Sequence, residues 1–517
     1  MTEIGVSRSF PRRDFLAAGL AGLLAAPLVG CSRGASPARR PNIVVVMADD
    51  IGPGDIGFYH AARTGSSPVI PTPHLDAMIR DGMRFDQAYS PSALCAPTRF
   101  SMLTGNYSYR QGTGRPYGVW APWQDPGIDP TNTTSARLAR QAGYATAFFG
   151  KWGCGGQMFD RGGEAITTND VDDADFSTIG MAANHHGFDY AFELPRGIQI
   201  GPFAFYENEH WKPLGNDSEL VRLDPAQHRV EQALLRRHEI GDSNWDPAAA
   251  GPILVERATN YISTHLEERP DQPLFLYFCS QGVHIPHVPP EELNGTPISG
   301  TTPSARGDMV VEVDTQVGEL IDALRAGGGY DDTLFIFTSD NGGLPAVDDA
   351  LVERGHDSAN GLRASKGSIH EGGCRVPFIA TWPGVIEPGT HSAEPIVGHD
   401  IVATIAAIGE AGPTPQVKDS LDLVPLLSGD ADATGHEIVM QQSSPKRGGF
   451  AIRRGDWKLV LEGDDLEPTG LFDLASNPFE VEDQNLLSSP DRADLVDELR
   501  ALYVELRETG RPTVAQP

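Results

Sequence analysis

The chain has 517 residues, 40% hydrophobic and 21% charged, a composition typical of a globular protein with one large domain and one smaller one. Its 70 acidic and 40 basic side chains give a net charge of −30, which argues against a nucleic acid partner and against membrane attachment through a basic surface. If the ligand is an anion, a local group of cations must bind it.

Residues 1–30 are predicted to be a targeting segment. Arg12-Arg13-Asp14-Phe15-Leu16 matches the twin-arginine export pattern, and the uncharged run after it is too short to span a bilayer. The run ends at Leu28-Val29-Gly30-Cys31, which resembles a bacterial lipobox, so we expect cleavage before Cys31 and a lipid anchor on that cysteine. Residues 31–41 are then a tether. These features predict a bacterial envelope protein in the periplasm or at the cell surface; a cytoplasmic protein with an apolar N-terminal helix is the alternative.

Four apolar runs are typical of strands buried in a parallel sheet, and polar residues follow each of them. Helices predicted at Thr134–Gln141 and Met309–Leu324 precede two of these strands. In such α/β sheets, ligands bind beyond the carboxyl ends of the strands, so the polar residues are expected to meet at one edge. The pairs are Asn42–Met47 with Asp49-Asp50, Tyr144–Phe149 with Lys151, Pro273–Cys279 with His284, and Thr333–Thr338 with Asp340-Asn341.

The segment Ala93–Gly105 contains a cysteine two residues before a proline, followed by an arginine and an apolar run. Pro97 suits the first turn of a helix, so Cys95 is predicted to lie at a helix N-terminus, beside the positive end of the helix dipole. Arg99 would then lie on the same helix face as Cys95. The alternative is a buried structural cysteine beside a surface arginine.

A glycine-rich segment, Lys366–Pro377, leads into a further apolar run at Phe378–Trp382. Its glycines allow the backbone to approach a ligand closely, and Lys366 offers a positive charge to an anion. After about residue 430 the pattern changes to a small antiparallel sheet and one helix that starts at Ser489-Pro490. The predicted strands are Ile438–Gln441, Phe450–Arg453, Trp457–Leu461 and Leu471–Leu474, and the helix presents Leu495, Leu499, Leu502 and Leu506 on one face.

The polar residues after the first and fourth strands have the chemistry of a metal site. Asp49, Asp50, Asp340 and Asn341 offer only oxygen ligands, which suit a hard cation, calcium before magnesium, and disfavour zinc.

The Cys95 segment resembles the sulfatase signature, a Cys-x-Pro-x-Arg core followed by a short helix and Thr-Gly, with Thr98 where serine is more usual. The resemblance covers most of Pro41–Leu486. It implies an α/β, alkaline-phosphatase-like fold: a large mixed sheet flanked by helices, with a small C-terminal antiparallel sheet plus helix. Residues 42–430 would be the catalytic domain and residues 431–517 a C-terminal subdomain. Asp456-Trp457-Lys458-Leu459 and Phe472-Asp473-Leu474 also resemble this subdomain of the family.

By this resemblance, a formylglycine-generating enzyme or maturase would oxidise Cys95 to formylglycine, whose hydrate attacks a sulfate monoester of a sugar or aryl alcohol. The modified Cys95 and the four oxygen residues would bind calcium. Arg99 would orient the hydrate, and Lys151, His284 and Lys366 would hold the sulfate oxygens and the leaving group, with His284 as the general acid.

One departure from the family concerns Gly153, which stands where the family usually has a histidine after Lys-Trp. His185, His186 or water could replace that histidine. Gly153 keeps open the alternative of a lipid-anchored binding protein without turnover. A phosphoester or phosphonate hydrolase of the same superfamily is a second alternative. Three further cysteines cannot form a disulfide framework: Cys154, Cys279 and Cys374. Substrate specificity is expected to lie in the loops 112–129 and 154–250.

Overall fold

The computed structural model describes residues 40–111, 124–167, 172–229, 240–345, 349–412 and 414–509. The predicted targeting segment, with Arg12, Arg13 and Cys31, lies outside these residues. Residues 112–123, which belong to a predicted specificity loop, also lie outside them. The export, lipidation and localisation expectations therefore stay predictions.

The central element is a mixed sheet of 13 strands within the described residues. Its middle strands β16, β1, β13, β5 and β8 are parallel to one another. The strands on either side are mostly antiparallel. In spatial order the sheet consists of β18 (Thr390–Ser392), β2 (Met83–Phe85), β17 (Phe378–Thr381), β16 (Thr333–Ser339), β1 (Asn42–Ala48), β13 (Leu274–Cys279), β5 (Ala145–Lys151), β8 (Tyr190–Leu194), β9 (Phe205–Glu207), β10 (His210–Lys212), β7 (Ala174–Gly180), β6 (Gly156–Asp160) and β4 (Gln124–Asp125).

Helices cover both faces of this sheet. The described helices of the whole chain are α1 (Gly57–Thr64), α2 (Pro73–Asp81), α3 (Cys95–Thr104), α4 (Ser135–Gln141), α5 (Pro225–His228), α6 (Ala250–Glu268), α7 (Ala305–Ala326), α8 (Asp349–Val352), α9 (Glu371–Cys374), α10 (Asp400–Ile408), α11 (Val424–Leu427) and α12 (Ala493–Thr509). Side chains alternate along β1 because a strand has a period of two. Val44 and Val46 pack in the core that includes α6 and α7, whereas Val45 and Met47 pack in the core that includes α3, α4 and α10. Burial on both faces explains the uninterrupted apolar runs in the sequence.

A second antiparallel sheet lies near the C-terminus. It consists of β20 (Ile438–Gln442), β21 (Gly449–Arg454), β22 (Trp457–Glu462) and β23 (Glu467–Asp473). Helix α12 packs on it through Leu499, Tyr503 and Leu506. The helix starts at Ala493, three residues later than the start predicted at Ser489-Pro490, because Pro490–Arg492 forms a 3-10 turn before α12. The predicted α/β fold with a small C-terminal sheet and helix is confirmed.

Three short strand pairs complete the described secondary structure. They are β3 (Ala88–Tyr89) with β19 (Ile396–Val397), β11 (Leu220–Arg222) with β12 (Ile240–Asp242), and β14 (Glu292–Leu293) with β15 (Thr296–Pro297). The described helices include none with the length and hydropathy required to cross a bilayer.

Candidate active site

The carboxyl ends of β1 and β16 bring the predicted pairs Asp49-Asp50 and Asp340-Asn341 together. These strands are in register from Asn42 to Ala48, so Asp49 and Asp340 each follow a paired residue at the same edge. The Asp50 backbone N–H donates to the Asp340 carboxylate at 3.2 Å. Asp50 itself has a φ of 73°, a left-handed conformation that is uncommon for a residue other than glycine and is found disproportionately at functional sites. The predicted convergence at one sheet edge is confirmed.

Cys95 is the first residue of α3 and faces this acidic group. Its Sγ lies 3.4 Å from Asp49 Oδ1 and 3.4 Å from Asn341 Oδ1. Pro97 is the third residue of the helix, where its missing N–H leaves no helical bond unmade. Burial and the neighbouring Asp340 carboxylate raise the pKa of the Cys95 thiol well above its usual value, although Lys151 and Lys366 act in the opposite direction. The side chain is therefore a neutral thiol in this structure.

Two buried cations bind the acidic pairs from the side of β5. The Arg99 guanidinium donates to Asp340 Oδ2 at 2.8 Å and to the Lys151 carbonyl at 2.9 Å. The Lys151 ammonium lies 2.6 Å from Asp49 Oδ2. Burial alone would raise the pKa of Asp49, but Lys151 and the other nearby cations hold it well below its usual range. Arg99 and Lys151 are 1% and 3% exposed, so both charges depend on these partners.

Lys366 and His284 lie on the more open side of the same cluster. The Lys366 ammonium is 2.5 Å from Asp50 Oδ1, and the His284 ring is 3.9 Å from Asp50 Oδ2. Backbone hydrogen bonds hold Lys366 in place, because its N–H donates to the Gly343 carbonyl and the next N–H donates to the Ala93 carbonyl. Burial and the nearby Lys366 lower the pKa of His284 to about 4, so its imidazole is neutral at pH 7 in this structure. The structure brings together all nine residues predicted for the site.

The donor set fits a divalent cation. Carboxylate oxygens of Asp49, Asp50 and Asp340 and the Cys95 sulfur all lie within 4.8 Å of one another. Burial and the nearby Asp49 carboxylate raise the pKa of Asp340 to about 6, despite the attraction of Arg99. Three carboxylates this close and this buried repel one another unless cations lie among them. In this structure the side chains of Arg99, Lys151 and Lys366 supply the positive charge.

Neither candidate for the histidine missing at Gly153 reaches this cluster. His185 pairs with Glu209 at 3.3 Å, and the His186 ring stacks on Trp152 at 5.4 Å. A Cβ built on Gly153 would lie 2.7 Å from Arg99 Cδ, so the arginine side chain already fills this space. Gly153 also has a φ of 71°, which disfavours any larger residue.

A family model with the description Sulfatase matches residues 41–410, more than half of the chain. The chain belongs to the sulfatase family. This sulfatase is 31% identical over 505 residues to N-acetylgalactosamine-6-O-sulfatase of Bacteroides thetaiotaomicron, covering 88% of this chain and 92% of the relative. It is 32% identical over 440 residues to human arylsulfatase A, covering 83% and 76%.

A solved sulfatase structure from work on the metabolism of multiple glycosaminoglycans by Bacteroides thetaiotaomicron has the same fold. Its TM-score is 0.74 at 27% identity, and the superposition covers 91% of this chain and 100% of that one. Together with the relatives, it identifies the protein as a sulfuric ester hydrolase of the alkaline phosphatase superfamily.

Sequence reasoning missed a buried network that holds the turns after β1 and β16. In the sulfatase, Asp55 pairs with Arg306 at 2.6 Å and with His356 at 2.9 Å, and it accepts a hydrogen bond from Ser358 at 2.5 Å. Its second oxygen accepts from the Gly52 N–H at 2.9 Å. The short spacing from Asp50 was the one sequence signal for Asp55, whereas its partners come from distant segments.

A second missed network supports the loop that carries His284. The buried Glu312 on α7 accepts hydrogen bonds from Gln281 at 2.9 Å and from Gln316 at 3.3 Å, and Ser280 donates to Gln316 at 2.8 Å. Burial raises the pKa of Glu312 to about 8, so the carboxyl group is mostly protonated at pH 7. Polar residues on an otherwise buried helix were the available signal.

A third polar group resembles a metal site by composition, but its carboxylate already has hydrogen-bond partners within the protein. His399, Asp400 and His436 are buried, with ligand atoms within 4.8 Å of one another. However, the Asp400 oxygens accept from His436 and from the backbone N–H groups of Leu421 and Val397, all at 2.8 Å. We therefore assign this cluster a structural role. The four described cysteines, Cys95, Cys154, Cys279 and Cys374, are all buried and free.

Proposed function

We propose that the protein hydrolyses a sulfate monoester of a carbohydrate or aryl alcohol with a formylglycine derived from Cys95 and with bound calcium. The observation that carries this proposal is the position of Cys95 at the start of a buried helix, among oxygen ligands on one side and Arg99, Lys151 and Lys366 on the other. A formylglycine-generating enzyme or maturase would be its partner.

The calcium ion would be held by Asp49, Asp50, Asp340, Asn341 and an oxygen of the modified Cys95. When bound there, it would lower the pKa of the attacking hydroxyl and offset the negative charge of the sulfate. The oxygen-only side chains and their mutual proximity support calcium over zinc.

The cationic side chains account for anion binding on a chain with a net charge of −30. Lys151 and Lys366 now pair with the same carboxylates that would hold the metal, so their ammonium groups can exchange those partners for the oxygens of a sulfate group. Arg99 is fixed by two hydrogen bonds and would orient the attacking group. His284 is 14% exposed on the open side and would donate a proton to the leaving oxygen once the negative charge of a bound sulfate has raised its pKa enough to protonate the ring.

The nucleophile decides how sulfate is released. A thiolate could attack sulfur, but the resulting thiosulfate-like product has no easy route to release sulfate, whereas a geminal diol can eliminate it as the aldehyde reforms. We therefore expect activity to follow the oxidation of Cys95 and not its thiol content.

The test compares protein produced with and without a formylglycine-generating enzyme. Mass spectrometry of the peptide containing Ala93–Arg99 measures modification, and 4-nitrophenyl sulfate and 4-nitrophenyl phosphate at equal concentration measure the reaction class. We expect activity on the sulfate in proportion to formylglycine content and none in Cys95→Ala. Full activity with an unmodified thiol would contradict the mechanism, and a preference for the phosphate would favour the phosphohydrolase alternative.

Burst kinetics test the alternative of a binding protein without turnover. Release of one equivalent of alcohol followed by a halt would mean that attack occurs and sulfate release does not. Continuous turnover would show that Gly153 is compatible with the complete cycle.

The proposed location is the bacterial cell envelope, reached by twin-arginine export and held by a lipid on Cys31. Cys31→Ala should yield an active protein that no longer partitions into detergent. Replacement of Arg12 and Arg13 by lysine should block export, and normal periplasmic levels of that variant would contradict the export route.

A further inference from the structure

Gln199 carries a buried hydrogen-bond acceptor beside the proposed site. It lies in the turn after β8 and is 9% exposed. Its Oε1 accepts no hydrogen bond from the described residues. A buried acceptor without a donor destabilises a folded protein, so each such group requires an explanation.

The turn that carries Gln199 is fixed to the segment after β5. The Trp152 N–H donates to the Leu194 carbonyl at 3.0 Å, and the Gly153 N–H donates to the Pro195 carbonyl at 3.0 Å. Gly197 then turns back with a φ of 75°. These bonds hold Gln199 and Lys151 in a defined relation to each other.

The side chains of Gln199 and Lys151 both lie close to Gly197. A Cβ built on Gly197 would lie 2.5 Å from Gln199 Oε1 and 2.9 Å from Lys151 Cδ. The glycine therefore leaves room for both side chains, and the Lys151 ammonium group is 2.6 Å from Asp49. Gln199 is thus a neighbour of the proposed sulfate-binding cation, although it is distant from that cation in sequence.

The chemistry of the unpaired atom identifies the part of the substrate that it can bind. A sulfate monoester is fully ionised at neutral pH and has oxygen acceptors only, which suit Lys151 and Lys366. A carboxamide oxygen requires a donor, so its partner must be a hydroxyl or amide N–H on the alcohol that carries the sulfate. Sugars offer such donors, whereas a simple aryl group does not.

We propose that Gln199 is a substrate-binding residue that accepts a hydrogen bond from a hydroxyl or amide group of the sulfated alcohol and so favours sugar sulfates over aryl sulfates. This inference rests on the proposed sulfatase function. A site built to bind a substrate hydroxyl rejects an analogue that lacks it, because its polar group is then left unpaired.

The experiment measures kcat/KM of wild type, Gln199→Leu and Gln272→Leu on N-acetylgalactosamine 6-sulfate and on 4-nitrophenyl sulfate, which has no donor. Leucine keeps the approximate size of glutamine and removes the acceptor. Gln272 is the matched control, because its carboxamide hydrogen-bonds the Gly143 carbonyl at 3.2 Å, outside the site. We expect Gln199→Leu to lose tenfold or more on the sugar and less than twofold on the aryl sulfate, and Gln272→Leu to change neither.

Three results would overturn the inference. Equal losses on both substrates would mean that Gln199 only positions Lys151, and unchanged rates on both would mean that water satisfies the carboxamide. Cleavage of the aryl sulfate by a wild-type enzyme that has no activity on the sugar would also exclude the proposed preference. Failure of formylglycine-containing wild type on both substrates would instead contradict the proposed function itself.

Discussion

Replacement of Lys458 by methionine is expected to destabilise the protein strongly. Lys458 is fully buried in β22, where its ammonium group contacts Glu371 at 2.8 Å, Glu480 at 3.0 Å and the Ile369 carbonyl at 3.1 Å. Glu371 begins α9, five residues after Lys366, so this contact joins the C-terminal sheet to the segment that carries a proposed sulfate-binding lysine. Methionine is unbranched and only one atom shorter than lysine, and it removes the charge.

The size of the effect follows from what remains after the substitution. Removing one partner of a buried ion pair typically costs about 3–5 kcal/mol, since the other charge stays buried and unpaired. With an unfolding entropy of about 2.1 cal/mol/K for each residue, a chain of 517 residues has roughly 1 kcal/mol/K in total. The melting temperature should therefore fall by about 3–5 °C.

The effect should also depend on pH in a defined direction. Burial alone would raise the pKa of Glu371, but Lys458 and Arg375 hold it well below its ordinary value of 4.5. A carboxyl group with a lowered folded-state pKa contributes stability above its unfolded pKa and loses that contribution as the pH falls. The difference between wild type and Lys458→Met should thus be largest near pH 7 and shrink below about pH 4.5.

Differential scanning calorimetry at one scan rate measures this, with Lys212→Met as the control. Lys212 pairs with Glu207 at the same distance of 2.8 Å, but the two side chains are 39% and 30% exposed. Exposed pairs contribute about 0–1 kcal/mol, so the control should shift by about 1 °C or less. Equal shifts for the two variants at pH 7 would refute the reasoning that burial makes the Lys458 pair indispensable.

Three further predictions concern the site. Gly153→Ala should lose activity more than tenfold because its Cβ would displace Arg99. Gly328→Ala, with a nearly equal φ of 70° and no atom within 4 Å of the added Cβ, should show only the backbone cost of roughly 1–2 kcal/mol in its free energy of unfolding. Glu312→Gln should be more stable than wild type by about 3 kcal/mol at pH 7 and about equally stable at pH 4.5. Between the unfolded-state pKa of 4.5 and the folded-state pKa of about 8, ionisation of Glu312 favours the unfolded state, and glutamine cannot ionise. Equal unfolding midpoints of the two proteins at pH 7 would contradict this. Asp340→Ala should lower kcat/KM by at least roughly 100-fold and abolish the rise in melting temperature that calcium causes in the wild type. A variant that kept the wild-type kcat/KM in the presence of a chelator would rule out the metal assignment.

The strands and most of the site could be predicted because each depends on local sequence. The runs at Asn42–Met47 and Thr333–Thr338 are apolar throughout because both faces of β1 and β16 are covered by helices. Once the strands are known to be parallel, their carboxyl ends share one edge, and Asp49 and Asp340 must come close. The start of α3 at Cys95 likewise follows from Pro97 alone.

The supporting residues could not be predicted because their partners are distant in sequence. Gln199 lies in a region of short strands and turns with weak periodicity, and only the bonds between the turn after β8 and the segment after β5 bring it to Lys151. Glu312 reaches the His284 loop through Gln281, a contact that requires α7 to pack against the end of β13. Such pairs depend on tertiary packing, which no hydrophobic pattern encodes.

Gly153 shows why a departure from a family pattern needs the surrounding structure for its interpretation. The sequence alone suggests a missing imidazole that another histidine could replace. In the structure, however, Arg99 fills the space at Gly153, and His185 and His186 contact Glu209 and Trp152 instead. Of the three histidines considered for proton transfer, only His284 has the site residues Lys366 and Asp50 among its electrostatic partners. We therefore expect the role of the histidine missing at Gly153 to be taken by water or by a group already in contact with the acidic cluster, and not by His185 or His186.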